Sequence, residues 1–134
     1  MTYSIPEPFE SAVKRVRAAL VRGGFSVPRE LDISAQIRQS LGIDITQSTV
    51  MYVFCRQSFV EAMRVQSAIG IYLPLHVVIS ACSGQAEIHM LGSVPPDGVI
   101  TGTLLASFVN RLRDEVSLVI EKIAIHRSYC QLRP

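Results

Sequence analysis

The side chains best suited to redox, nucleophilic or metal chemistry are three cysteines, three histidines and a few carboxylates. Cys55 is the candidate reactive thiol. The thiolate is the nucleophilic form, and a nearby cation favours it. Arg56 follows directly, but neighbouring strand residues point to opposite faces. The competing reading is a buried structural cysteine, because an unreacted thiol packs as a small hydrophobe. His76, Cys82, Glu87 and His89 form a candidate polar sheet face. Cys, His and Glu are all zinc-ligand types, yet none here follows a short-spacing ligand motif, and no metal is expected. The strand pairing expected below sets His89 opposite Ser80 and Cys82 opposite Glu87, with His76 two same-face positions beyond Ser80. That reads as an ordinary polar sheet face suited to a dimer contact.

Other catalytic signatures are absent. The chain has no phosphate loop, no G-x-S-x-G elbow and no dinucleotide fingerprint. Asp114 and Glu115 lie on a solvated helix and make poor acid–base partners. No catalytic residue and no cofactor is expected, and the reading leans away from an enzyme.

The elements that must position these residues follow from periodicity. Phe9, Val13, Val16 and Leu20 recur at helical spacing, predicting an amphipathic helix from about Pro8 to Arg22 that stops at Gly23-Gly24. Phe25 to Leu31 reads as a strand, with Pro28 pushing it to a sheet edge or a bulge. Asp32 or Ser34 caps a helix over Ala35–Leu41, ended by Gly42. Thr49 to Cys55 is β-branched and aromatic on both faces and reads as a buried strand. A helix follows over Ser58–Gln66, and a strand over Ile69–Leu73. Leu75–Cys82 and Ala86–Leu91 then form a hairpin. A type II′ turn at Gly84-Gln85 joins Val77, Ile79 and Ala81 to Ala86, Ile88 and Met90 on one face. His76, Val78, Ser80, Cys82, Glu87, His89 and Leu91 share the other. Val94-Pro-Pro-Asp-Gly is a turn. A long last helix starts near Thr101 or Thr103, with an apolar stripe through Leu104, Leu105, Phe108, Leu112, Val116, Val119, Ile120 and Ile123. Residues 126–134 are expected to fray. This order suggests an α+β fold: a two-layer antiparallel sheet with helices packed on one face, in a single domain over 1–134.

One ordered set of segments carries a family resemblance. Phe9-Glu-Ser-Ala-Val-Lys-Arg-Val-Arg-Ala-Ala-Leu runs into Gly23-Gly24-Phe25. Glu30-Leu-Asp-Ile-Ser, Ile37-Arg-Gln-Ser-Leu-Gly, Cys55 and Ile69-Gly-Ile-Tyr-Leu-Pro-Leu-His-Val-Val-Ile follow in order. Together they resemble the bacterial family known as domain of unknown function 302. The resemblance implies a TATA-binding-protein-like fold and a homodimer, and attaches no activity. The family's middle carries a Cys-Asn-Pro turn and, about twenty residues on, a Leu-Pro-Cys-Asn stretch. The corresponding segments are Cys55-Arg56-Gln57 and Leu73-Pro74-Leu75-His76. Cys55 matches, while Leu75 and His76 stand where the second cysteine and its neighbour would be. A function of relatives that needs a thiol pair is therefore in doubt.

Composition sets the outer bounds. The chain is 49% hydrophobic and 18% charged, with net charge +2. That suffices for one buried core and argues against disorder. Mean hydropathy is +0.32, more apolar surface than a small domain readily hides. The expected partner is a second copy, since two-fold dimers are the commonest assembly. Basic residues are dispersed, so no nucleic-acid partner is expected. The apolar run from Ala68 to Cys82 is broken by Pro74 and His76 and too short to span a membrane. An odd number of widely spaced cysteines and no visible secretory signal point to the cytoplasm. The function expected is a non-catalytic homodimeric binding or interaction module, with a small apolar ligand between last helix and sheet as one form of it. The alternative is a thiol-dependent or sulfur-handling accessory protein centred on Cys55.

Overall fold

Alternation of apolar and polar residues along the strands builds a sheet with one buried side, and helical stripes cover that side. The computed structural model describes residues 1–65, 75–90 and 103–127. In chain order the elements are β1 (Thr2–Ile5), α1 (Phe9–Arg22), β2 (Ser26–Asp32), α2 (Ile33–Leu41), β3 (Ser48–Phe54), α3 (Arg56–Val65), β4 (Leu75–Cys82), β5 (Gln85–Met90), α4 (Thr103–Glu121) and β6 (Ile125–Arg127). The strands form one six-stranded sheet, ordered β2-β3-β4-β5-β1-β6, with each pairing antiparallel. This is the α+β architecture expected from the element order. The expected strand over 69–73, the turn at 94–98 and the Thr101 start fall outside the described residues.

A single core joins the covered face to the helices. Tyr3, Ile5, Met51, Val53, Val77, Ile79, Ala86 and Ile88 from the sheet cluster with Ala12, Val16 and Leu20 of α1 and with Val109, Leu112, Val116 and Ile120 of α4. The α1 stripe is the one expected. In α4 the buried line runs 109, 112, 116, 120, so its centre passes through Val109. Phe108, expected inward, is half-buried, and Arg111 lies over its ring at 5.0 Å from the centroid.

Several local expectations are met for the reasons given. β2 is an edge strand, with a register shift between Ser26 and Arg29, around Pro28. The Asp32 carboxylate accepts from the Ala35 N–H at 2.9 Å and caps α2, which starts two residues earlier than expected; Gly42 ends it at φ 67. Others are corrected. β3 is not buried on both faces: exposure alternates strictly, with Thr49, Met51 and Val53 inward. β1 was not foreseen, although Tyr3 and Ile5 carry the two-residue apolar period. The hairpin turn is Ser83-Gly84, not Gly84-Gln85, and both residues have positive φ (50 and 78). That is type I′ rather than II′, the turn whose twist matches the strands. The register moves by two residues, to Ala81↔Ala86 and Ile79↔Ile88. An even shift leaves the faces as expected, because side chains alternate with period two. His126 and Arg127 are not frayed; as part of β6 they pair with Tyr3 and Thr2.

Candidate functional site

The second face of the sheet reads directly from the registers. One cross-strand row is Leu31, Val50, Val78, His89, Thr2; the next toward the β3 C-terminus is Arg29, Tyr52, His76; the next in the other direction is Ser48, Ser80, Glu87, Ser4. No described apolar residue of this open face is buried, in contrast to the opposite side. Leu31, Val50 and Val78 make a half-buried apolar strip across three strands, with Tyr52 and Phe54 beside it.

The four residues of the expected polar face all lie here, but they do not converge. Glu87 Oε2 is 3.5 Å from His89 Nε2, and His89 Nδ1 is 3.3 Å from Thr2 Oγ1. His76 instead packs edge-on to Tyr52, ring centroids 5.0 Å apart. Cys82 pairs with Gln85, His89 with Val78 and Glu87 with Ser80, replacing the cross-strand partners expected. Among the described residues no three His, Cys, Asp or Glu side chains gather as a metal site would require. Thr2 as a partner of His89 was not legible, since β1 itself was not expected.

Cys55 occupies a different region. It follows β3, and its carbonyl accepts from the Phe59 N–H at 2.9 Å, which opens α3. The thiol-bearing residue is half-buried. With Val21, Phe25, Val27 and Arg56 it lines a groove of about 480 Å³ between the end of α1, the start of β2 and the start of α3. Leu75, in the place of the family's second cysteine, is 3% exposed and belongs to the core. The expected ligand site between the last helix and the sheet is taken up by the core itself, because Val109, Leu112, Val116 and Ile120 are all buried against it.

Elsewhere polar groups position elements. Arg17 of α1 holds both carboxylate oxygens of Glu30 on β2, through Nε and, at 2.7 Å, through Nη2. Hydrogen bonding to Glu30 raises the Arg17 guanidinium above its ordinary pKa. The Ser34 hydroxyl and then the Ala35 N–H hold the Asp32 carboxyl below the usual carboxylate range. The Tyr3 hydroxyl bonds the Ser117 hydroxyl within the core, tying β1 to α4. Neither ion pair nor buried bond had a sequence signal, since each joins distant segments.

Comparison with known proteins adds the following. The model of the family described as "Domain of unknown function DUF302" matches residues 1–123. No curated protein matches. The chain is similar to the crystal structure of an uncharacterized conserved protein DUF302 from Bacillus stearothermophilus, with a TM-score of 0.82 and 16% identity, covering 92% of this chain and 96% of that one. At that identity the likeness carries the fold alone.

Proposed function

The chain belongs to the DUF302 family, and from that premise we propose that it is a non-catalytic homodimeric interaction module that associates through the open face of its sheet. The observation that carries this is the strip of Leu31, Val50 and Val78, with Tyr52 and Phe54 beside it, on a face with no buried apolar residue among those described. Half-buried β-branched side chains in the middle of a sheet gain roughly 25 cal/mol for each Å² of apolar surface that a partner removes from water. Pairing by a strand edge is disfavoured on the β2 side, where Pro28 and the register shift interrupt the ladder. The positive mean hydropathy supports the same reading. Sedimentation equilibrium tests it: the wild type has twice the chain mass at tens of micromolar, and Val78→Glu has one. A wild-type mass of one chain at that concentration overturns it.

A second reading has one observation of its own, the groove at Cys55. Its volume falls in the roughly 300–1,000 Å³ range of small-molecule sites, and Val21, Phe25 and Val27 suit a small apolar ligand. A thiol-dependent role is the chemical form of this reading. Titration with a coloured disulfide reagent near neutral pH separates the two: a fast phase lost in Cys55→Ser favours thiol chemistry. We infer a bacterial cytoplasmic protein with no nucleic-acid partner, on the dispersed basic residues and the odd, widely spaced cysteines. No described helix is long and apolar enough to cross a membrane.

A further inference from the structure

Resting on the reading that the open face is the self-association surface, the strand registers also define how two copies would meet. Arg29 belongs to the Tyr52–His76 row on β2, and Glu87 to the Ser48–Ser80 row on β5. The midpoint between them therefore falls on the Val50–Val78 pair, between β3 and β4. Arg29 is exposed, and no salt bridge engages it among the described residues. The Glu87 side chain is 26% exposed beside His89.

We propose that two copies seat their open faces together about a two-fold axis through the Val50–Val78 pair, so that Arg29 of each copy meets Glu87 of the other. An in-plane two-fold axis perpendicular to the Arg29–Glu87 diagonal exchanges the two corners, and so creates two opposite-charge contacts flanking one apolar centre. The diagonal spans three strand spacings of about 4.8 Å and four residues of about 3.4 Å. It lies near 45° to the strands, so the strands of the two copies cross at about a right angle, one of the two packing classes of stacked sheets. Two sheets about five residues wide, crossed at a right angle, overlap over roughly 17 Å by 17 Å, a flat footprint of roughly 300 Å² before side-chain relief. A hydrophobic centre with charged flanks is also the usual anatomy of an interface.

Charge reversal tests the axis separately from the face. Arg29→Glu and Glu87→Arg each place two like-charge contacts in the dimer, and each should weaken self-association roughly tenfold or more. Mixing the two variants restores both contacts in the heterodimer, so native mass spectrometry should show the mixed species dominating both homodimers. The double variant R29E/E87R should dimerise as the wild type does. If Val78→Glu dissociates the dimer while both single reversals leave it intact and mixing is statistical, this axis is wrong and the open face stands. If the wild type is monomeric, or Val78→Glu stays dimeric, the open-face reading fails and the axis fails with it.

Discussion

The two faces of the sheet are made by alternate residues of the same strands, one position apart, and they have different fates. On β4, Val77 and Ile79 are fully buried, whereas Val78 between them is half-exposed. On β3, Met51 and Val53 are buried while Val50 and Tyr52 are not. The covered face is completed by the chain's own helices; the open face keeps β-branched and aromatic residues that are only half-buried, and no described apolar residue on it is buried. Strand propensity asks only for a side chain that fits a pleated surface. It does not report whether α1 and α4 or a separate molecule supplies the opposing layer. The contrast teaches that an apolar residue in a strand is a statement about the strand, and its burial a statement about the layer above it.

The largest effect should come from breaking the covered face. Ile79→Ala removes buried methyl groups from the centre of the core and is expected to destabilise the fold by ~2–5 kcal/mol, read from the urea midpoint. A loss below about 1 kcal/mol would mean that the core collapses around the gap, and the two faces would differ less than their exposure indicates. The helix layer sharpens the same contrast. Leu112→Ala should cost ~2–5 kcal/mol, and Phe108→Ala distinctly less, because Leu112 is 2% exposed and Phe108 half-buried. Equal losses would show that the stripe is centred one residue away from Val109.

A smaller effect is expected at the edge that holds α2. Asp32→Ala should cost about 1 kcal/mol at neutral pH through the lost cap. The folded Asp32 pKa is lowered by Ser34 and Ala35. Its contribution is therefore present above the unfolded value of about 3.9 and is lost as pH falls through the lower folded value. The gap between wild type and Asp32→Ala should shrink below about pH 4, modestly, because the group is exposed to solvent screening. A gap independent of pH would assign the effect to the helix rather than to the carboxylate. The smallest effect on folding belongs to the open face. Val78→Ser, measured by urea unfolding at dilutions where the chain is monomeric, should change stability by no more than about 1 kcal/mol. A loss as large as that of Ile79→Ala would erase the distinction between the faces.

Much of this could be read along the chain. A helical stripe located α1 and cap signals located α2 closely, and Pro28 announced the edge and its irregular register. The hairpin faces were legible although its turn was not, since Ser83 at positive φ is a rare conformation for a residue with a Cβ, and only a two-residue shift was at stake. β1 was missed because four residues before Pro6 carry too few periods to stand out, and its partners, β5 and β6, lie at the far end of the chain. Val109 was missed because a stripe that includes Leu104, Leu105 and Val119 is broad enough to be centred on either side. The candidate site was legible as residues and not as an arrangement: His76, Cys82, Glu87 and His89 share the face expected, but only His89 and Glu87 approach each other.

By itself the sequence determined the types of the described elements from α1 to α4, the apolar stripe of α1 and the alternation that divides the hairpin strands between two faces, because these depend on local periods of 3.6 and 2 residues. The tertiary structure decided the order β2-β3-β4-β5-β1-β6, the addition of β1 beside β5 and of β6 beside β1, the groove beside Cys55 and the juxtaposition of Arg29, Val50, Val78 and Glu87 on one face. Those features join residues distant in the chain, where contact is set by the packing of layers and leaves no period in the sequence.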